Sequence, residues 1–290
     1  MSAERRALLQ IHFCVLLWGF TAILGKLITL PALDLVWWRM LIVALAVLLL
    51  PRFWRHFATM PRRQALIFAG IGVLVALHWL SFYGAIKLSN ASVAASCMAL
   101  GPIMMAFVEP RITGRPFERR EAVFGLLAIP GVLLVVGGTP VDMRLGIAIG
   151  VISVVLVSVF ASLNKRYVTQ GDPLVVTGLE LGAGTAFLTL VALAWPGASG
   201  ELTIPDGRDT TLLLILALAC TLLPFALSLV ALRHISAFSA QLAISLEPVY
   251  AILLAIVLLG EQRELTLAFY CGVAIILLVV LVHALTSRAR

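Results

Sequence analysis

Between residues 8 and 285 the chain runs through ten apolar segments, each close to the ~20 residues that carry an α-helix across about 30 Å of hydrocarbon. They read as 8–28, 33–50, 65–86, 91–108 and 122–138, then 145–163, 174–195, 211–232, 236–259 and 266–285. Hydrocarbon offers no partner to a bare N–H or C=O, so segments of this length are expected to span as helices. Composition agrees. The chain is 62% hydrophobic and 12% charged with mean hydropathy +1.09, whereas a soluble domain carries about twice that charged share. The first segment is too long for the apolar core of a signal peptide and lacks a small-residue cleavage site, so it is expected to remain.

The net charge of +7 does not form a nucleic-acid patch, because the cations sit in short loops between apolar runs. With the N-terminus taken as cytoplasmic, the inner loops hold Arg5, Arg6, Arg52, Arg55, Arg62, Arg63, Arg111, Arg115, Arg119, Arg120, Lys165, Arg166, Arg233, Arg288 and Arg290. The outer loops hold Lys87, Arg144, Arg208 and Arg263. That bias predicts both termini in the cytoplasm. The longest outer loop, 196–209, is acidic at Glu201, Asp206 and Asp209. Cys14, Cys97, Cys220 and Cys271 stand singly in apolar runs, which predicts packing rather than a metal site or disulfide. No GxxxxGK[ST] phosphate loop is present, and no cofactor is expected.

The chain also repeats itself. Shifting 85–118 by 146 positions lays it over 231–264, so that Ala85, Ala91, Ala94, Leu100, Pro102, Gly114 and Glu118 fall on Ala231, Ala237, Ala240, Leu246, Pro248, Gly260 and Glu264. At slightly different offsets Lys26 matches Lys165, and Arg39 falls opposite Glu180. Five spans per copy is an odd number, so the second copy enters the bilayer from the other side. The expected fold is therefore all-α integral membrane: ten transmembrane helices as two inverted five-helix repeats, 1–140 and 141–290. Inverted repeats around a midplane site mark secondary transporters.

Three groups of residues are candidates for that site. Pro102 and Pro248 withhold an N–H from the carbonyls of Met98 and Ile244, and matched helix breaks in two halves point to a binding site. Packing kinks are the competing reading. Arg39, His78, Glu180 and Glu247 are ionisable groups several residues inside apolar segments, where each costs roughly 2.5–3.5 kcal/mol unless wet or paired. Glu247, the deepest, is expected to bind a solute amine or exchange a proton. Arg39 and Glu180 sit at different depths and are expected to line a vestibule or gate, or to bond backbone groups. Third, His78, Trp79 and Tyr83, with Trp18, supply an aromatic wall suited to an organic cation or an amino acid. His78 reads equally well as a histidine bonded to a neighbouring carbonyl. Met98 and Tyr250, beside the two breaks, complete the expected solute contacts. Trp37 and Trp38 belong to the interfacial belt, and His12 and His283 to the cytoplasmic interface. The Gly146-x-x-x-Gly150 and Gly178-x-x-x-Gly182 spacings predict close helix packing and identify no oligomer.

Several local runs carry a resemblance: Trp18-Gly19-Phe20, Trp38-Arg39, 91–102, and above all Ser245-Leu246-Glu247-Pro248-Val249 followed by Leu259-Gly260-Glu261. Over nearly its whole length the chain resembles the EamA family of the drug/metabolite transporter superfamily. The first copy departs from the second, with Gly101-Pro102 for Glu247-Pro248 and Gly114-Arg115 for Gly260-Glu261. The resemblance implies a ten-helix carrier of the inner membrane that exports amino acids or similar metabolites. The solute is expected to be small, neutral or zwitterionic, with a hydrophobic amino acid first and an amphipathic cationic drug second. Its partners are that solute, the bilayer and, as an open question, protons. An intramembrane lipid-modifying enzyme using His78 and Glu247 is the weaker alternative, since no HExxH, aspartate pair or Ser/Lys nucleophile pair is present.

Overall fold

A computed structural model describes residues 2–194, 202–244 and 246–287. Trp195 at the end of one expected span, Glu201, Ser245, Arg288 and Arg290 lie outside the described residues, as does the side chain of His283. The described residues are helical, with no strand. Five helices are long and apolar enough to cross a membrane singly: Ala3–Leu27, Arg62–Leu88, Val141–Gln170, Pro173–Ala194 and Gly207–Ala231. Two bent pairs pass the same test, Ala32–Leu48 with Pro51–Phe57 at 84° and Ala91–Met98 with Gly101–Thr113 at 41°. Three shorter apolar helices cover Val123–Gly138, Glu247–Leu259 and Leu267–Val279.

In chain order the helices are α1 (Ala3–Leu27), α2 (Ala32–Leu48), α3 (Pro51–Phe57), α4 (Arg62–Leu88), α5 (Ala91–Met98), α6 (Gly101–Thr113), α7 (Arg119–Leu127) and α8 (Ile129–Gly138). The second half follows with α9 (Arg144–Tyr167), α10 (Pro173–Ala194), α11 (Gly207–Leu214), α12 (Leu223–Ala231), α13 (Ala237–Ile244), α14 (Glu247–Leu254) and α15 (Leu267–Ser287). A wide π-helical stretch, Ile215–Leu222, joins α11 to α12.

Local chemistry repeats at the same offset as the sequence. The Asn90 side chain accepts from Val93 N at 2.9 Å to start α5, and Ser236 Oγ accepts from Ser239 N at 2.9 Å to start α13. Both helices then break before a proline. Leu100 N bonds Cys97 O at 3.0 Å and Leu246 N bonds Ala243 O at 3.1 Å, after which Pro102 and Pro248 open α6 and α14. A proline suits the first turn of a helix, where its missing N–H would have no partner. Gly114 and Gly260 end the two segments at φ 80° and 70°, a left-handed cap that a β-carbon would strain.

Packing follows the repeat too. α4 lies against α9 as α12 lies against α1, and α6 lies against α9 as α14 lies against α1. α2 pairs with α10, and α8 with α15, across the relation between halves. Lysines fasten matching corners: Lys26 Nζ donates to Ser89 O at 3.5 Å, and Lys165 Nζ to Ile235 O at 2.6 Å. Gly146 and Gly150 of the first GxxxG spacing pack on Ser89 and Cys97 within the chain. In the second, Gly178 meets Val47 and Phe53, and Gly182 meets nothing.

Candidate solute-binding site

Helices from both halves enclose a cavity of about 120 Å³, measured as space open to the centre of a water molecule. One water needs about 10–15 Å³ on that measure, so the space suits a small metabolite. Its walls are built from repeat-related positions: Trp18 and Val157, Thr21 and Phe160, Trp79 and Phe225, Phe82 and Ser228, Met98 and Ile244. Arg39, His78, Asn164 and Glu247 are the polar groups that add chemistry to this lining. Met98 and Ile244 end the two broken half-helices, so both breaks abut the cavity.

Arg39 is 3% exposed. Its Nε donates to Thr221 Oγ1 at 2.6 Å and its Nη1 to Tyr83 Oη at 2.8 Å, while the guanidinium lies 3.8 Å from the Trp79 ring centroid. These contacts fix its plane by hydrogen bonds and by attraction to an aromatic face. Thr221 is placed by the π-helical stretch, where its Oγ1 donates five residues back to Leu216 O at 2.6 Å. Pro224, two residues beyond that stretch, has no N–H for the Cys220 carbonyl, which accounts for the local widening.

Glu247 opens α14 and lines the same cavity. It forms no ion pair or hydrogen bond among the described residues, and Arg39 Nη2 is equally unengaged. Opposite charges therefore share one apolar-walled space without closing on each other. His78 lines the cavity and also bonds a carbonyl: its Nδ1 lies 3.0 Å from Ser153 O, and Ser153 Oγ donates to His78 O at 3.0 Å. With Nδ1 as donor in that pair, neutral His78 presents Nε2 as an acceptor.

Three expected site residues lie elsewhere. Tyr83 is fully buried behind the lining, where it holds Arg39 and packs edge-on against Phe82. Tyr250 is absent from the cavity wall and packs on Gly19 of α1, whose β-carbon would fall 2.8 Å from Tyr250 Cβ. Glu180 is fully buried outside the lining, where its Oε2 accepts from Asn164 Nδ2 at 3.3 Å. Trp37 and Trp38 bond Thr189 Oγ1 and Thr203 O. Of the residues singled out here for the first time, Asn164 had no signal in the sequence, whereas Phe160, Phe225 and Ser228 had one. Adding the repeat offsets to Thr21, Trp79 and Phe82 lands on Phe160, Phe225 and Ser228.

The cavity lies toward one end of the helices. Asn164 is three residues from the end of α9, and Ala240 three from the start of α13. At the opposite end the lining stops six residues short of the end of α1, at Thr21, and six short of the end of α4, at Phe82. That end is tied shut. Asp209 accepts from Thr29 N and Oγ1, Lys87 Nζ donates to Ile28 O, and Glu261 accepts from Ala91 N, Ser92 N and Ser92 Oγ.

Apolar helices, a doubled architecture and a cavity between the copies define a multi-pass membrane transporter of small solutes. The profile of the EamA-like transporter family matches residues 5–137 and 144–285. The chain belongs to the EamA-like transporter family. A solved structure titled only "Crystal structure of protein" is similar over 98% of both chains at TM-score 0.67 and 19% identity, a likeness of fold. No curated protein sequence matches the chain.

Proposed function

We propose that the protein is a secondary transporter that exports a small zwitterionic metabolite, a hydrophobic amino acid first among them, across the inner membrane. On this reading the spans number ten, the two five-helix repeats are 1–140 and 141–290, and both termini are cytoplasmic. The single observation that carries the solute class is the pair of unclosed charges in one cavity. Arg39 Nη2 receives the carboxylate, Glu247 the ammonium group, and Trp18, Trp79, Phe82 and Met98 the apolar side chain. In the arginine-derived orientation the tied end is external and the cavity leans toward the cytoplasm, which suits a carrier loading from inside. Alternating access then consists of releasing the Asp209, Lys87 and Glu261 ties while the cytoplasmic end of the cavity closes.

The test is transport in proteoliposomes with L-leucine, its amine without the carboxylate, and its acid without the amine. Selective movement of leucine supports the two-charge site. Movement of the bare amine in preference favours the amphipathic-cation reading, and a chemically altered product favours an enzyme. Topology is checked by reporter fusions. Fusions after Arg63 and Arg288 should report cytoplasm, and one at residues 201–209 the outside; an external C-terminus removes the inverted arrangement.

A further inference from the structure

Glu180 and Asn164 form a second polar site, separate from the two charges that face the solute. The Glu180 side chain is fully buried on α10, and Asn164 is 2% exposed on α9. Asn164 Nδ2 bonds Glu180 Oε2, yet Asn164 Oδ1 and Glu180 Oε1 have no hydrogen-bond partner among the described residues. Two orphaned acceptors on touching side chains are costly in a dry interior, because each has given up water without replacement. A carboxylate sealed there without a cation is costlier still.

No neighbour supplies that cation. α10 packs against α2, α3, α4 and α12. On these, Arg39 is bonded to Thr221 and Tyr83 at the cavity, Arg52 to Asp172, His78 to Ser153 and Lys87 to Ile28 O; Arg55, His56, Arg62 and Arg63 are exposed at helix ends, and α12 carries no ionisable side chain. Lys165, next to Asn164, is spent on the carbonyls of Leu232 and Ile235. A metal ion is equally ill-served. Hard cations gather many oxygen ligands, and here α4 and α10 meet backbone to backbone. A β-carbon on Gly72 would overlap the Glu180 backbone, and one on Gly184 would fall 2.9 Å from Gly72 O.

We infer that Glu180 is a proton-carrying site of the transporter, connected to the solute cavity by Asn164. A proton on Glu180 removes the buried charge, needs no additional volume and leaves one fewer bare acceptor in the interior. Asn164 lines the cavity as well as bonding Glu180, so it is the route by which water in the cavity reaches the carboxyl. In each cycle a hydronium ion on one side gives its proton to the carboxylate. The O–H bond then breaks toward water on the other side, and nothing else is consumed. The transport half of this inference rests on the alternating-access reading above. The protonation half concerns the protein alone.

The experiment therefore has two arms, using the full chain in nanodiscs and in proteoliposomes. Infrared spectra of the purified protein at neutral pH should contain a protonated-carboxyl C=O stretch that Glu180→Gln deletes and Asn164→Ala shifts. A wild-type spectrum without that band, or a band untouched in Glu180→Gln, overturns the site whatever solute is carried. In proteoliposomes loaded with L-leucine, wild-type protein should acidify or alkalinise the lumen as leucine moves, with no response to sodium. Glu180→Gln should lose this proton flux and pH-driven accumulation to the protein-free background, while leucine-for-leucine exchange continues. Wild-type proton flux in that variant, or drive by a sodium gradient, overturns proton coupling at Glu180. Absence of any leucine movement by wild-type protein rejects the solute reading and leaves the spectroscopic arm to decide the site.

Discussion

Trp18, Thr21, Trp79 and Met98 of the first repeat line the cavity together with Val157, Phe160, Phe225 and Ile244 of the second, partner by partner. The polar positions are not shared in this way. Arg39 faces the cavity, whereas Glu180, its counterpart, is sealed among α2, α4 and α10. His78 stands where the second repeat has Pro224, and Gly101 where it has Glu247. Backbone symmetry supplies two matching breaks and two matching corners, which an inverted carrier needs if its two ends are to open alternately. Side-chain asymmetry supplies one charge of each sign, which on the proposed function holds a solute in one orientation. Neighbouring packing explains the divergence of Arg39 and Glu180. Gly72 brings α4 onto the backbone of α10 and closes over Glu180. At the repeat-related place the second copy has Leu218, which is exposed, within the π-helical stretch that holds Thr221 out to Arg39.

The largest expected effect comes from the asymmetric cation. Arg39→Ala should lower leucine transport about 100-fold, the scale for removing one partner of a desolvated charge contact, with the melting temperature measured alongside. Transport within twofold of wild type, about 0.4 kcal/mol, would erase the charge asymmetry from function. Packing asymmetry comes next. Gly72→Ala should cost about 1–3 kcal/mol of stability through overpacking, while Gly182→Ala, with nothing near its β-carbon, should be close to neutral in the same thermal assay. Equal melting points would mean that α4 and α10 yield freely. Glu247→Gln keeps shape but loses charge, and should weaken leucine transport by about tenfold through loss of a charge-assisted bond, more than it weakens transport of the amine-free acid.

The smallest effect tests the surface, where exposed Arg52 ties the first repeat to a half-buried Asp172 of the second. Burial pushes the Asp172 carboxyl up, and the hydrogen bond and charge of Arg52 together with the Leu174 N–H outweigh it, holding it below the usual carboxylate range. A lowered folded value means stabilisation that is present above the unfolded value and lost as pH falls through the folded one. Asp172→Asn should therefore cost about 0.2–1 kcal/mol at neutral pH and nothing in acid, read from melts across pH; high salt should shrink the difference.

Much of the fold was legible because the signals are local. Apolar length marks a span, and Pro102 and Pro248 mark breaks, each through the backbone of its own neighbours. The repeat offset carried these marks from one half to the other, and Arg39 and Glu247, singled out by their depth in apolar runs, both line the cavity. Rotation of each helix about its axis was a different matter. In a soluble helix the polar stripe reveals the buried face, but a span apolar all round is satisfied by lipid and by protein alike. Phe82 lines the cavity while Tyr83, one residue and about 100° on, is buried behind it holding Arg39. Tyr250, two residues past Pro248, turns away onto Gly19. The π-helical turn that delivers Thr221, and the closure of Gly72 over Glu180, depend on residues far apart in the chain. Sequence alone thus determined that helices span, where they break and which charges they carry inside. Tertiary packing decided which of those charges faces the cavity, because only contact between helices fixes the direction in which an apolar helix points its few polar groups.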